Sequence, residues 1–327
     1  MAELVALGEL LIDFAPRGTD REGNPLLAVQ PGGAPGNFLA AASRYGISTA
    51  LLAKVGEDAF GRLLVEALAG AGVETRGVRL DPAVFTTLAF VTLDGQGDRS
   101  FSFARKPGAD TCLTFSELDL ALLEGARVFH FGSLSLTDEP VRTCTYQAVA
   151  YAKERGKLIT FDPNLRPPLW RTPQEARREI LWGLGQAQVV KLSGEEAAFL
   201  WGCNPLEGAR QLLDTFPQVQ LVLLTLGEAG CLLQNRRAAC RLGALKVQPV
   251  DTTGAGDIFG GAAISQLLRL DTPPGELSAE ELGWVARFAT AAAGLSTLRP
   301  GGIPSVPPLG QVEAQAAAIE AEGGSEG

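Results

Sequence analysis

The chain has 327 residues, 46% hydrophobic and 20% charged, enough to bury a sizeable core in one large domain or two and too apolar for extensive disorder. Its 28 basic against 37 acidic side chains give a formal net charge of -9, which excludes a diffuse positive field for nucleic acid or an anionic membrane, so an anionic ligand must be held locally. One histidine, His130, and five cysteines without a CxxC pair argue against a His-based metal cluster, a Ser-His-Asp hydrolase, a zinc site or a disulfide framework. The opening residues carry Glu3, Glu9 and Asp13 without a basic leader, and no run of 18 apolar residues occurs. The reducing cytoplasm is the expected location.

In chain order, residues 4–14 read as one apolar strand, and Gly32, Gly33, Ala34, Pro35 and Gly36 then interrupt the chain before a helical run at 37–45. Strands at 49–53, 127–131, 157–161, 188–191 and 220–225 alternate with helices at 58–71, 138–155 and 173–183, the pattern of a buried parallel sheet covered by helices. A hairpin-like pair at 230–234 and 239–242 follows, then helices at 256–270 and 279–298. Residues 87–93 and 99–103 break the alternation, because the turn-forming run Asp94, Gly95, Gln96, Gly97 and Asp98 between them predicts a β-hairpin. With residues 26–29 it is expected to form a small second sheet, a lid within about 10–31 and 86–105, the alternative being an edge hairpin of the main sheet. Leu88, Phe90, Val91, Phe101 and Phe103 give that sheet apolar faces that need cover, with Val91 taken as pointing outward. Residues 311–327 read as a C-terminal helix and frayed tail, and 1–327 as one domain.

The most informative stretch is 251–257, Asp-Thr-Thr-Gly-Ala-Gly-Asp, which opens into a helix. Glycine-bare amides at a helix start bind anions. An aspartate beside them can accept a proton from an attacking hydroxyl while the amides stabilise charge on a transferring phosphoryl group. Asp257 is the candidate base, with Gly254, Ala255 and Gly256 as the anion hole; taken alone, Gly-x-Gly-Asp reads rather as an ordinary acidic first turn. Phe259 stands where a dinucleotide fingerprint needs its third glycine, and no GxxxxGK[ST] occurs.

Residues 251–257 resemble the C-terminal signature of the ribokinase-like, phosphofructokinase-B-type sugar kinases. Gly32-Gly33-Ala34-Pro35-Gly36-Asn37 followed by Gly46 resembles their N-terminal signature, and Val55-Gly56-Glu57-Asp58 with Gly61 a further landmark. Within that family the run from Gly8 to Phe14, Phe129-His130-Phe131-Gly132-Ser133 and Phe161-Asp162-Pro163-Asn164-Leu165-Arg166 are most similar to fructokinases. The resemblance implies a three-layer α/β/α sandwich with a mainly parallel sheet and a small β lid. It also implies an ATP- and magnesium-dependent kinase acting on carbon 6 of D-fructose. A 2-keto-3-deoxygluconate kinase or another sugar or nucleoside kinase shares the scaffold, and a non-catalytic sugar sensor or scaffold is the reading from a different class.

Carried over by residue, the resemblance makes Asp257 the base and Gly254 to Gly256 the anion hole. It assigns Asp13, Gly33 and Asn37 to the sugar, with Arg166, Arg105 and His130 as further sugar-side candidates. Without it, Asn37 is a helix cap, Arg166 a loop charge and His130 a core histidine. Lys191-Leu192-Ser193-Gly194-Glu195-Glu196 falls where many relatives carry Asn-x-x-Glu, which puts Glu196 on magnesium through water and Ser193 in place of the asparagine. The resemblance puts Lys191 and Ser193 on the ATP side with Gly254 and Gly256, Thr225, Gly227 and Gly230 in a loop around ATP, and Thr290 at an adenine-side position. Asp251, Thr253 and Ser305 match positions near a monovalent-cation site suited to potassium. In several relatives two lids clasp, so a homodimer through the lid is implied.

Overall fold

Short apolar runs such as Leu4–Leu7 are buried on both faces, as strands must be when helices cover the two sides of a sheet. The computed structural model describes residues 2–93, 99–270 and 272–323. Its strands are β1 (Leu4–Leu7), β2 (Leu11–Thr19), β3 (Pro25–Gly32), β4 (Thr49–Gly56), β5 (Val78–Asp81), β6 (Leu88–Leu93), β7 (Arg99–Ala104), β8 (Val128–Gly132), β9 (Leu158–Asp162), β10 (Val189–Ser193), β11 (Leu221–Thr225), β12 (Cys231–Gln234) and β13 (Ala239–Leu242). Its helices are α1 (Ala34–Arg44), α2 (Ala59–Gly70), α3 (Leu120–Gly125), α4 (Val141–Glu154), α5 (Pro173–Leu184), α6 (Gly194–Trp201), α7 (Pro205–Thr215), α8 (Ala255–Leu267), α9 (Ala279–Ser296) and α10 (Leu309–Gly323).

The main sheet has nine strands in the order β13-β12-β11-β10-β9-β8-β1-β4-β5, all running one way except β12, which is antiparallel to both β11 and β13. Period-two alternation splits the core: Leu4 and Ala6 of β1 pack with Leu39, Leu64, Ile258 and Val285 of α1, α2, α8 and α9, while Val5 and Leu7 face the layer of Val149, Ile180 and Leu212 of α4, α5 and α7. From β1 the chain order runs to β4 on one side and β8 on the other, and a crevice opens beyond the carboxyl ends of strands at such a switch point.

The small sheet has four strands in the order β3-β2-β6-β7, none of them paired with the main sheet, so the edge-hairpin alternative is overturned. The expected single strand at 4–14 is in fact two. The Gly8 amide makes a last main-sheet bond to Leu52 at 3.2 Å, and the Ile12 amide already bonds Thr87 in the small sheet at 3.2 Å. Helix α1 starts at Ala34, earlier than expected, because Pro35 suits a first turn. The predicted turn 94–98 and the end of the tail, 324–327, lie outside the described residues, as does the side chain of Phe101.

One expectation about the small sheet is corrected. Pairing Ile12 with Leu88 and Asp13 with Ala89 puts Val91 on the face of Asp13, where it is only 8% exposed. The opposite face holds Phe14, stacked on Phe90 at 5.0 Å and edge-on to Phe60 of α2 at 5.7 Å. Leu27 and Val29 alternate onto that face, each 42% exposed.

Candidate active site

Two glycine-started helices converge beyond the main sheet. At the start of α1, Gly33 adopts φ 110°, and a Cβ there would come within 2.6 Å of the Glu9 carbonyl, so only glycine lets the helix begin against the end of β1. At the start of α8, Gly254 adopts φ 77°, and its Cβ would meet the Gly302 Cα at 2.8 Å. Their first turns meet in a hydrogen bond: Asn37 Nδ2 donates to Asp257 Oδ2 at 2.8 Å. Asn37 Oδ1 is buried without a donor among the described residues, as an acceptor awaiting a ligand hydroxyl would be. Asp257 Oδ1 likewise makes no hydrogen bond among the described residues.

Burial raises the Asp257 carboxyl, and Lys191, the Asn37 hydrogen bond and Arg166 oppose the rise. Asp13, from β2, is pushed up to about 7 by burial, with Arg166 pulling it down and Asp257 and Asp251 pushing it further up. These groups therefore share one electrostatic site. Glu9, also raised to about 7 by burial, accepts the Ala34 amide at 3.0 Å. Lys191 from β10 pairs with Asp162 at the end of β9 at 3.0 Å. A Cβ on Gly256 would lie 3.2 Å from its ammonium nitrogen, which places Lys191 against the first turn of α8.

On the other side of α8 a cavity of about 810 Å³ is lined by Thr225, Gly227, Gly230, Gly256 and Thr290 among others. That volume accommodates a nucleotide, and the cavity is also lined by Ala255 and Gly256 at the start of α8. Of the residues expected on the nucleotide side, Thr225, Gly227, Gly230, Gly256 and Thr290 gather there, while Lys191, Gly254, Ser193 and the magnesium candidate Glu196 do not line it. Ser193 caps α6, and Glu196 spends its carboxylate on backbone: Oε2 accepts the Ser193 amide at 2.7 Å and Oε1 the Leu165 amide at 2.8 Å. This capping box, Ser-x-x-Glu, was legible in the sequence as a helix start. Asp251 joins two loops, accepting the amides of Thr253 at 2.9 Å and Gly301 at 3.0 Å, while the Ser305 hydroxyl donates to the Gly302 carbonyl.

His130 is not brought to the cleft surface. It stacks on Phe38 at 3.9 Å, its Nδ1 lies 2.9 Å from Thr160 Oγ1, and burial together with Lys191 pushes it down to about 3, a neutral core ring. Arg105 is equally closed. Its guanidinium bonds Asp110 at 2.8 Å, Thr137 at 2.8 Å and the Leu134 carbonyl at 2.9 Å, with 3% of the residue exposed. Asp110 also accepts the Thr87 hydroxyl, so this cluster ties the start of β6 and the end of β7 to the body of the protein. Sequence reasoning assigned no role to Glu9, Asp110 or Asp162. Asp162 lay in the quoted Phe-Asp-Pro-Asn run, and a strand-end acid was the available signal.

The match to known proteins follows this geometry. The model for "pfkB family carbohydrate kinase" matches residues 1–309. Fructokinase-1 of Zea mays is 42% identical over 312 residues, covering 94% of this chain and 96% of the relative. Among solved structures, the fructokinase of Xylella fastidiosa with bound ATP superposes with a TM-score of 0.87 at 30% identity, covering 98% of this chain and 100% of the other. A double mutant of the Vibrio cholerae fructokinase, in a fructose-, ADP- and potassium-bound form, superposes with a TM-score of 0.86 at 32% identity over 96% and 98% of the two chains. With its nine-stranded and four-stranded sheets and a glycine-started helix carrying Asp257, the chain belongs to the pfkB family of carbohydrate kinases.

Proposed function

We propose that this kinase transfers the γ-phosphoryl group of ATP to the C6 hydroxyl of D-fructose. The observation that carries the reading is the Asn37–Asp257 pair, set between the Asp13 side of the small sheet and the nucleotide-sized cavity. Asp13 and the unsatisfied Asn37 Oδ1 offer acceptors to sugar hydroxyls that lose water on binding. Asp257 Oδ1 takes the proton of the attacking hydroxyl, and the amides at Gly254, Ala255 and Gly256 meet the charge that grows on the phosphoryl oxygens. Positioning then does most of the catalysis, as is general for phosphoryl transfer.

Magnesium would arrive on the nucleotide phosphates and would neutralise part of their charge. Glu196, with both oxygens already bonded to amides, would reach that ion only through water. Asp251, Thr253 and Ser305 flank one loop junction and form the proposed potassium site. Arg105 supports the choice of a neutral sugar over the acidic 2-keto-3-deoxygluconate, since its charge is already paired with Asp110. The exposed Leu27, Val29 and Phe85 support a homodimer in which a second copy covers the outer face of the small sheet. Five free cysteines suit a reducing cytoplasm.

An ADP-release assay over fructose, glucose, 2-keto-3-deoxygluconate, ribose and adenosine tests the substrate. Fructose is expected to show the highest kcat/KM; a clear preference for 2-keto-3-deoxygluconate replaces the reading.

A further inference from the structure

The buried Lys191–Asp162 pair is the strongest feature that the phosphoryl-transfer scheme leaves unused. Lys191 Nζ lies 3.0 and 3.3 Å from the two Asp162 oxygens, and both side chains are buried. The ammonium faces the first turn of α8, one residue before Asp257: a Cβ on Gly256 would lie only 3.2 Å from it, and glycine leaves that room open. Yet among the described residues no ion pair within 4.0 Å joins Lys191 to Asp257, whose Oδ2 bonds only Asn37.

We propose that Lys191, held by Asp162, is a positioning residue whose charge keeps Asp257 a carboxylate without bonding to it; this rests on Asp257 being the general base. A direct salt bridge would occupy the oxygen that must receive the hydroxyl proton, and Asp162 prevents it by holding the ammonium to the side. The proton passes from the sugar hydroxyl to Asp257 Oδ1 as the new O–P bond forms and the bond from the γ-phosphorus to the β-phosphate bridging oxygen breaks, releasing ADP.

Asp257 is faced by charge from every side. Lys191 comes from β10, Asp162 from β9, Arg166 from the loop after β9, Glu196 from α6 and Asp13 from β2, while Asn37 of α1 supplies a neutral hydrogen bond. Three of these are carboxylates that oppose ionisation. Of the groups that favour it, Lys191 acts most strongly. The Glu196 carboxylate is already satisfied by two backbone amides, so it does not draw Lys191 away.

The test is the pH dependence of kcat in Lys191→Met, Lys191→Arg and the double variant Asp162→Asn/Lys191→Met, with thermal melting and calorimetric fructose binding as controls for folding. In Lys191→Met the acidic limb is expected to move up by about one pH unit or more, giving a roughly tenfold loss on the acidic side that recovers at alkaline pH. Lys191→Arg keeps the limb in place, and the double variant moves it the same way by less. Should the single variant fail to fold through its unpaired Asp162, the double variant carries the test. An unmoved limb, with only a higher KM for ATP or an equal loss at every pH, overturns the proposal. Asp257→Asn separates the two readings: if that variant keeps its turnover, the base assignment itself has failed.

Discussion

Asp257 sits where the α8 amides and the Asn37 side chain meet, and its burial makes it a stronger base than a surface carboxylate. Asp257→Asn keeps the hydrogen-bonding shape and loses the proton acceptor, so turnover should fall by roughly two orders of magnitude or more with the melting temperature and fructose affinity little changed. Asp13 gives a prediction in pH. Its folded pKa of about 7 lies above the ordinary aspartate range, so the folded state binds more protons than the unfolded one between roughly pH 4 and 7. Its contribution to stability is therefore most favourable below that window and is lost as pH rises through it. Asp13→Asn should melt at a higher temperature than the parent at pH 8, with no such gain at pH 4, while its fructose affinity falls. Calorimetry at both pH values checks the first part, and an equal gain at the two would contradict it.

At the scale of elements, the capping box of α6 couples two loops of the site. Glu196 holds the Ser193 amide and, across from it, the Leu165 amide of the loop that carries Arg166. Glu196→Ala leaves two amides without that acceptor and should destabilise the chain by about 1–3 kcal/mol, read as a lower denaturant midpoint. A carboxylate that served only magnesium-bound water would leave the midpoint unchanged and alter only the magnesium dependence. The small sheet is tied down by another cluster, in which Asp110 binds Thr87 at the entry to β6 and Arg105 at the exit of β7. Loosening that tie in Asp110→Asn should raise the fructose KM more than it lowers kcat, because Asp13 stands on the sheet so held. Steady-state kinetics in which kcat alone falls would place Asp110 nearer the chemistry.

For the whole molecule, the outer face of the small sheet is the largest unresolved burial problem. Phe14, Phe60 and Phe90 cover one another, but Leu27 and Val29 on that face stay exposed, and Phe85, edge-on to Phe60, is 55% exposed. Light scattering at micromolar concentration should give about twice the chain mass. Val29→Asp, rather than a change at the buried Val91, should split the pair by placing an unmatched charge in the contact. A parent chain that scatters as a monomer with full activity would show this face to be content in water. Potassium dependence belongs to the same scale, since Asp251 joins loops on either side of α8 and α9. Equal rates in potassium and in a bulky organic cation would remove that site.

Much of this protein was written in its residues. The strand and helix alternation, the glycine runs before α1 and α8, and the acid at position 257 are local features, set by burial on two faces and by backbone conformations that only glycine adopts at Gly33 and Gly254. By themselves they gave the alternating fold and a glycine-started anion site; the kinase reading came from the resemblance of residues 32–37 and 251–257 to the family's two signatures. What they did not decide lies in contacts between distant segments. Residues 4–14 were one apolar run, and only pairing with Leu52 on one side and Thr87 on the other divides them between two sheets. Arg105 and His130 had the chemistry of ligand contacts, but Asp110 encloses the one, and Phe38 with Thr160 encloses the other. Val91 had the composition of an outward position, and register turned it inward. Local propensity chooses the element; which charge is neutralised and which face is covered depends on partners that only the folded chain brings within bonding distance.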